Sequence, residues 1–240
     1  GFTTSSGIGL MGGAIQGTEL SLSNVVTTFA GSSSGFGDNA IGTSASFKNP
    51  YGITTDGTNL YVADTENHRI RKIVISTGAV TTLAGDGSQG LGDHPTGTSA
   101  TFTYPHGITT DGTNLYVTDT NNHRIRKIVI DNGTVTTLAG PAAGTTASGD
   151  TNATGTSARF RYPRGITTDG TNLYVADYSK HRIRKIVIDN GTVTTLAGTG
   201  SACSSNCDNA TGTNAQFYRP RGITTDGTNL YVADYSNHRI

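Results

Sequence analysis

One phrase governs what this chain can fold into. GITTDGTNLYV begins at Gly52, Gly107, Gly165 and Gly222, at spacings of 55, 58 and 57 residues. A second phrase, VTTLAG, begins at Val80, Val135 and Val193, with a variant, VTTFAG, beginning at Val26. The two phrases are out of step, so the chain opens near the end of one unit and stops part-way through another. Repeats of this length indicate a solenoid, a propeller or an array, in which each unit buries its faces against its neighbours.

Within a unit the pattern reads as four antiparallel strands. GITT is a short first strand. Asp-Gly at 56–57, repeated at 111–112, 169–170 and 226–227, marks a hairpin, because Gly takes positive φ at no steric cost. NLYVAD is the second strand and HRIRKIVI the third. A Gly-bearing turn then leads to VTTLAG, the fourth. The third strand is apolar on both parities, Ile70 and Val74 against Ile73 and Ile75, which suits a sheet covered on both faces. Long polar loops, such as residues 85–105, lengthen the period. The expected fold is all-β: a β-propeller of four four-stranded blades over residues 19–240, after a flexible segment at 1–18. ELSLS at 19–23 and the strand of VTTFAG would complete the last blade and hide two raw sheet edges.

Composition narrows the function only a little. Lys+Arg and Asp+Glu both number 17, so the whole-chain charge gives nucleic acid no purchase. No apolar run is long enough to span a bilayer. The two cysteines, Cys203 and Cys207, sit in one loop, TGSACSSNCDNAT. Two thiols cannot make a four-ligand zinc site; a small disulfide loop is the preferred reading, with free surface thiols as the other. Disulfides belong to oxidising compartments. The Gly start, with no charged-then-apolar leader, reads as a mature or trimmed chain of an exported protein, extracellular, periplasmic or at the cell surface.

Asn-His-Arg-Ile recurs at 67–70, 122–125 and 237–240, and Lys-His-Arg-Ile stands at 180–183. Pro-x-Gly-Ile … Leu-Tyr-Val-Ala-Asp runs from Pro50 to Asp64. The chain thus resembles NHL-repeat β-propellers of the bacterial exported type. The resemblance implies a ring that is more often six-bladed, so an arc of a larger propeller is the alternative architecture. It leaves function open, because such propellers serve as binding platforms, RNA readers and lyases.

Residues that repeat in every unit read as builders of the fold. His68, His123, His181 and His238 would each bond between strands, or to the aspartate of the second strand: Asp64, Asp119, Asp177 and Asp234. A shared metal is the competing idea, but third strands lie too far from a propeller axis for four imidazoles to meet. Arg69 and Arg71 are expected on one solvated or blade-edge face. Asp56, Asp111, Asp169 and Asp226 are turn residues, and Asp38, Asp93, Asp150 and Asp208 cap the long loops. No loop has the D-x-[DN]-x-[DN]-G spacing of a calcium hand. No cofactor is expected, calcium and zinc being the metals such residues would admit.

A binding site on a quasi-symmetric ring should fall where the units differ. Between Pro and Gly-Ile the residues are Tyr51, His106, Arg164 and Arg221, and before that Pro come Asn49, Tyr104, Tyr162 and Arg219. After the second strand stand Thr65, Thr120, Tyr178 and Tyr235. Tyr and Arg are common anchors at binding surfaces. The expected binding residues are Tyr51, His106, Arg164, Arg221, Tyr104, Tyr162, Arg219, Tyr178 and Tyr235. The function expected is a non-catalytic binding or scaffold module recognising a protein, peptide or glycan, with self-association through open blade edges also permitted. A lyase or lactonase with a channel metal is second. An RNA reader is third, and nucleic acid is the least expected partner because the basic residues cluster only locally.

Overall fold

The computed structural model describes residues 25–203 and 211–240. Three units form four-stranded antiparallel sheets, each in simple chain order. Blade 1 holds Pro50–Thr55, Asn59–Asp64, Arg69–Val74 and Val80–Ala84. Blade 2 holds Pro105–Thr110, Asn114–Asp119, Arg124–Val129 and Val135–Ala139. Blade 3 holds Pro163–Thr168, Asn172–Asp177, Arg182–Val187 and Val193–Ala197. The fourth unit pairs Ile223–Thr225 with Leu230–Val232, and Asp234 bridges Arg239. The all-β propeller architecture therefore stands, with the fourth blade represented by its inner strands.

The hairpin aspartates show how the sequence builds a blade. Asp56 accepts hydrogen bonds from the backbone N–H groups of Thr58 and Asn59 and from the hydroxyl of Tyr61, at 2.8, 2.7 and 2.7 Å. Asp111 with Tyr116 and Asp169 with Tyr174 repeat this arrangement. One side chain thus satisfies the turn's orphan donors and ties down the second strand.

Blades pack face to face. One face of blade 1 (Tyr61, Ala63, Ile70, Ala84) meets the opposite face of blade 2 (Phe102, Ile108, Leu115, Val117). Tyr116, Ile125 and Ala139 of blade 2 meet Phe160, Ile166, Leu173 and Val175 of blade 3 in the same way. The innermost strands approach so closely that glycine is obligatory. A Cβ on Gly52, Gly107 or Gly165 would lie 2.4, 2.2 or 2.2 Å from the carbonyl oxygen of His106, Arg164 or Arg221 on the next blade.

The N-terminal strand departs from expectation. Val25–Gly31 forms no ladder with the last blade among the described residues. It lies against blade 1, with the Phe29 carbonyl beside Gly42 just as the Leu83 carbonyl lies beside Gly97. Gly31 donates to the Gly42 carbonyl at 2.9 Å, matching the bond from Gly85 to Gly97 at 3.0 Å. The segment therefore occupies the outer-strand position of a blade preceding blade 1. Local packing against the Gly42 loop fixes it there, and the last blade stands elsewhere. Residues 1–18, ELSLS at 19–23 and Asp208 lie outside the described residues.

Candidate binding face at the channel

The repeated histidines stitch blades together. A short 3-10 turn follows each second strand, and His68, His123, His181 and His238 end these turns in the left-handed region, with φ of 54, 58, 54 and 55°. The third strand starts one residue later, at the arginine. This turn corrects the expected bond to the aspartates: in blades 1 to 3 it swings the ring across to the next blade. His68 Nδ1 accepts the Tyr104 N–H at 3.2 Å, His123 that of Tyr162 at 3.1 Å, and His181 that of Arg219 at 3.0 Å. The rings also stand edge-on to Tyr104 and Tyr162.

The aspartates pair with arginine instead. Arg71, Arg126 and Arg184 are fully buried and reach Asp64, Asp119 and Asp177 at 2.7, 2.8 and 3.0 Å. Arg71 and Arg126 take a second carboxylate from the preceding loop, Asp38 and Asp93, both at 2.6 Å. In blade 3 Asn152 fills that place at 2.8 Å, while Asp150 pairs with Arg182 at 2.5 Å. The expected solvated arginine face is thus wrong for the second arginine. The signal lay in the sequence: Asp and Arg recur together seven positions apart in every complete blade.

The variable columns come together around the channel. Tyr51, His106 and Arg221 line a cavity of about 320 Å³ bounded by the first strands of all four units. Tyr51, Tyr104, His106 and Arg164 meet again in an adjoining cleft of about 190 Å³. Tyr51 and His106 stack at 3.9 Å between ring centres. Arg164 lies over Tyr178 at 4.2 Å and Arg221 over Tyr235 at 3.8 Å. Arg219 sits farther out, 5.8 Å from Tyr178 and 5.5 Å from Tyr218. Such stacking orients a guanidinium and leaves its edge free to donate.

Two features set the charge here. Arg164 and Arg221 form no ion pair among the described residues, although Glu66 lines the cleft that holds Arg164, and their Nε atoms, like those of Arg126, Arg182 and Arg184, are buried without a hydrogen-bond partner. Burial, with the charges of Arg164 and Arg221 added, holds the His106 imidazole down at about 4. His106 is therefore neutral at physiological pH and leaves the positive charge to the arginines. Tyr104, Tyr162 and Arg219 have a double role, for their left-handed backbones, with φ of 52, 54 and 55°, offer the N–H groups that the histidines hold. Among the described residues no group of three or more His, Cys, Asp or Glu side chains is placed to hold a metal ion.

Fold and site together define a β-propeller with an arginine- and tyrosine-lined central face. Residues 47–73, 102–128 and 217–240 match the NHL repeat. It is 29% identical to NHL repeat-containing protein 2 of Bos taurus over 82% of this chain and 39% of that protein. The Gallus gallus protein of the same name is 28% identical over 90% and 41%. The chain thus spans about two fifths of the curated relatives it matches. Among solved structures, an auxiliary nutrient binding protein from Bacteroides thetaiotaomicron superposes with a TM-score of 0.62 at 22% identity, over 82% of this chain and 48% of that one. That likeness is one of fold.

Proposed function

We propose that this protein is a non-catalytic binding module that recognises an acidic group of a protein, peptide or glycan partner at the channel face. The observation that carries the reading is the pair Arg164 and Arg221, stacked on Tyr178 and Tyr235 and neither of them in an ion pair among the described residues. A partly buried guanidinium without an ion-pair partner is stabilised by an incoming carboxylate, sulfate or phosphate through charge-assisted bonds. Among the described residues the cavity of about 320 Å³ is lined by one imidazole, one guanidinium and no carboxylate, a lining that favours anion binding over the acid–base pair of a lyase.

Export belongs to the same proposal. Its supports are the cysteine pair and the likeness to an auxiliary nutrient binding protein of Bacteroides thetaiotaomicron. Among the described residues no helix is long and apolar enough to cross a membrane. Cys203 is buried and Cys207 lies outside the described residues. Non-reducing and reducing peptide maps of the secreted protein test the disulfide, which a free, alkylatable Cys207 would refute.

Calorimetric titration with polyglutamate, and with a sulfated glycan as a second probe, tests the site. Binding that weakens with added salt and falls about tenfold or more in the Arg164→Ala, Arg221→Ala double variant is expected, since each charged hydrogen bond contributes about 1.5–3 kcal/mol. Equal affinity in the variant would remove the reading.

A further inference from the structure

The cleft of about 190 Å³ beside the channel is lined by charges of both signs, Arg164 and Glu66. Among the described residues the two form no ion pair with each other; Glu66 stands by Lys48 instead, at 3.4 Å. Glu66 also breaks the symmetry of its column, where the other units have Asn121, Ser179 and Ser236. The cleft is built from blades 1 to 3 alone.

Both charges are held in place with capacity to spare. Asn49 Nδ2 donates to Glu66 Oε1 at 2.6 Å and holds that carboxyl below its ordinary range. The Lys48 pair is half-exposed and therefore weak. A carboxylate offers about four acceptor sites, so Glu66 can take further donors. Arg164 is oriented by Tyr178 at 4.2 Å, and among the described residues its side chain donates no hydrogen bond to protein. The walls are fixed as well. Thr65 and Thr120 are buried, and their hydroxyls donate to the carbonyls of Pro105 and Pro163 on the next blade at 2.7 Å each.

An anion alone would meet Glu66 in this cleft, and a cation alone would meet Arg164. A ligand carrying both charges answers both, and like-charge contacts reject the other two kinds. The volume is smaller than the roughly 300–1,000 Å³ of pockets for drug-sized ligands, so the occupant is small. Tyr51 and Tyr104 line the cleft, and aromatic faces attract an ammonium. Tyr51 and His106 also line the channel cavity, beside Ile108, Ile166 and Ile223, which gives an apolar side chain a wall to reach.

We infer that the cleft binds a free amino acid as its zwitterion, with Arg164 taking the α-carboxylate and Glu66 the α-ammonium. This rests on the anion-binding role given to Arg164 above.

The test is calorimetric titration of the 240-residue chain with leucine, N-acetylleucine and leucinamide, and with polyglutamate as the control. Leucine is expected to bind, and each blocked form about tenfold or more weakly, since each lacks one charged end. Glu66→Gln should bring leucine and N-acetylleucine to equal affinity, and Arg164→Met should weaken leucine about tenfold or more. N-acetylleucine binding the wild type as well as leucine does overturns the inference, as does a Glu66→Gln variant that keeps the preference for leucine. Binding of polyglutamate without leucine removes the zwitterion site and leaves the channel-face reading standing. Failure of both probes removes the two together.

Discussion

Arg126 and Arg164 are arginines of one propeller put to opposite uses. Arg126, from the column identical in every complete blade, is fully buried and donates to Asp119 at 2.8 Å, to the Thr101 carbonyl at 3.0 Å and to the Gly92 carbonyl at 2.7 Å, with Asp93 at 2.6 Å beside it. Arg164, from a column that varies, lies over Tyr178 and makes no ion pair among the described residues. The first has two carboxylates answering its charge and holds a loop onto a blade. The second has its charge placed and left unanswered. Side chains of one type thus separate into scaffold and site according to whether the fold itself supplies the counter-charge.

The largest effect should come from breaking the satisfied one. Arg126→Met leaves the Asp119 carboxylate buried and unpaired, which costs about 3–5 kcal/mol. Urea unfolding should show it, together with unchanged affinity per folded molecule for polyglutamate. Arg164→Met should lower stability by less than about 1 kcal/mol while weakening that affinity. Equal destabilisation by both would erase the distinction.

The next largest lies in the glycines. Gly107→Ala places a Cβ 2.2 Å from the Arg164 carbonyl, and forcing the two blades apart should cost about 1–3 kcal/mol. It should also disturb binding, since that carbonyl belongs to a site residue. Gly222→Ala meets nothing closer than 3.6 Å in the protomer and should leave melting unchanged. His123→Ala comes below these, at about 1 kcal/mol for one inter-blade hydrogen bond, with binding intact. A large affinity loss at constant melting temperature would place His123 in the site instead.

These contrasts show what the sequence could and could not reveal. The fold was legible because strand pattern, Asp-Gly turns and period agree in register four times over. The gathering of Tyr51, His106, Arg164 and Arg221 followed from the symmetry argument alone, because first strands border the axis. The histidines' partners were not legible. A left-handed residue at the end of a 3-10 turn reverses where a side chain points, and nothing in HRIRKIVI announces that turn. The burial of Arg71 was missed because arginine defaults to the surface; its carboxylates, Asp38 and Asp64, come from two separate segments. Tyr104 and Tyr162 drew notice for their variable side chains; the second use of these positions, holding a histidine through a backbone N–H that any residue carries, left no mark in the sequence.

The last contrast is in pH dependence, and it separates the two kinds of histidine. His106 has its folded-state value near 4, against the ordinary 6.5, and burial holds His68, His123 and His181 down in the same direction. The unfolded chain therefore takes up protons first, so stability is fully present above 6.5 and declines as pH falls toward 4. At the blade histidines the cause is specific, because protonating Nδ1 turns the acceptor of the Tyr104 or Tyr162 N–H into a donor. His106→Gln should flatten only its own share of the decline and leave the inter-blade share. His123→Gln should reduce that inter-blade share while polyglutamate binding keeps its wild-type pH profile. Thermal melts at several pH values on both variants measure this, and a decline wholly abolished by His106→Gln would mean that the inter-blade histidines do not titrate with folding.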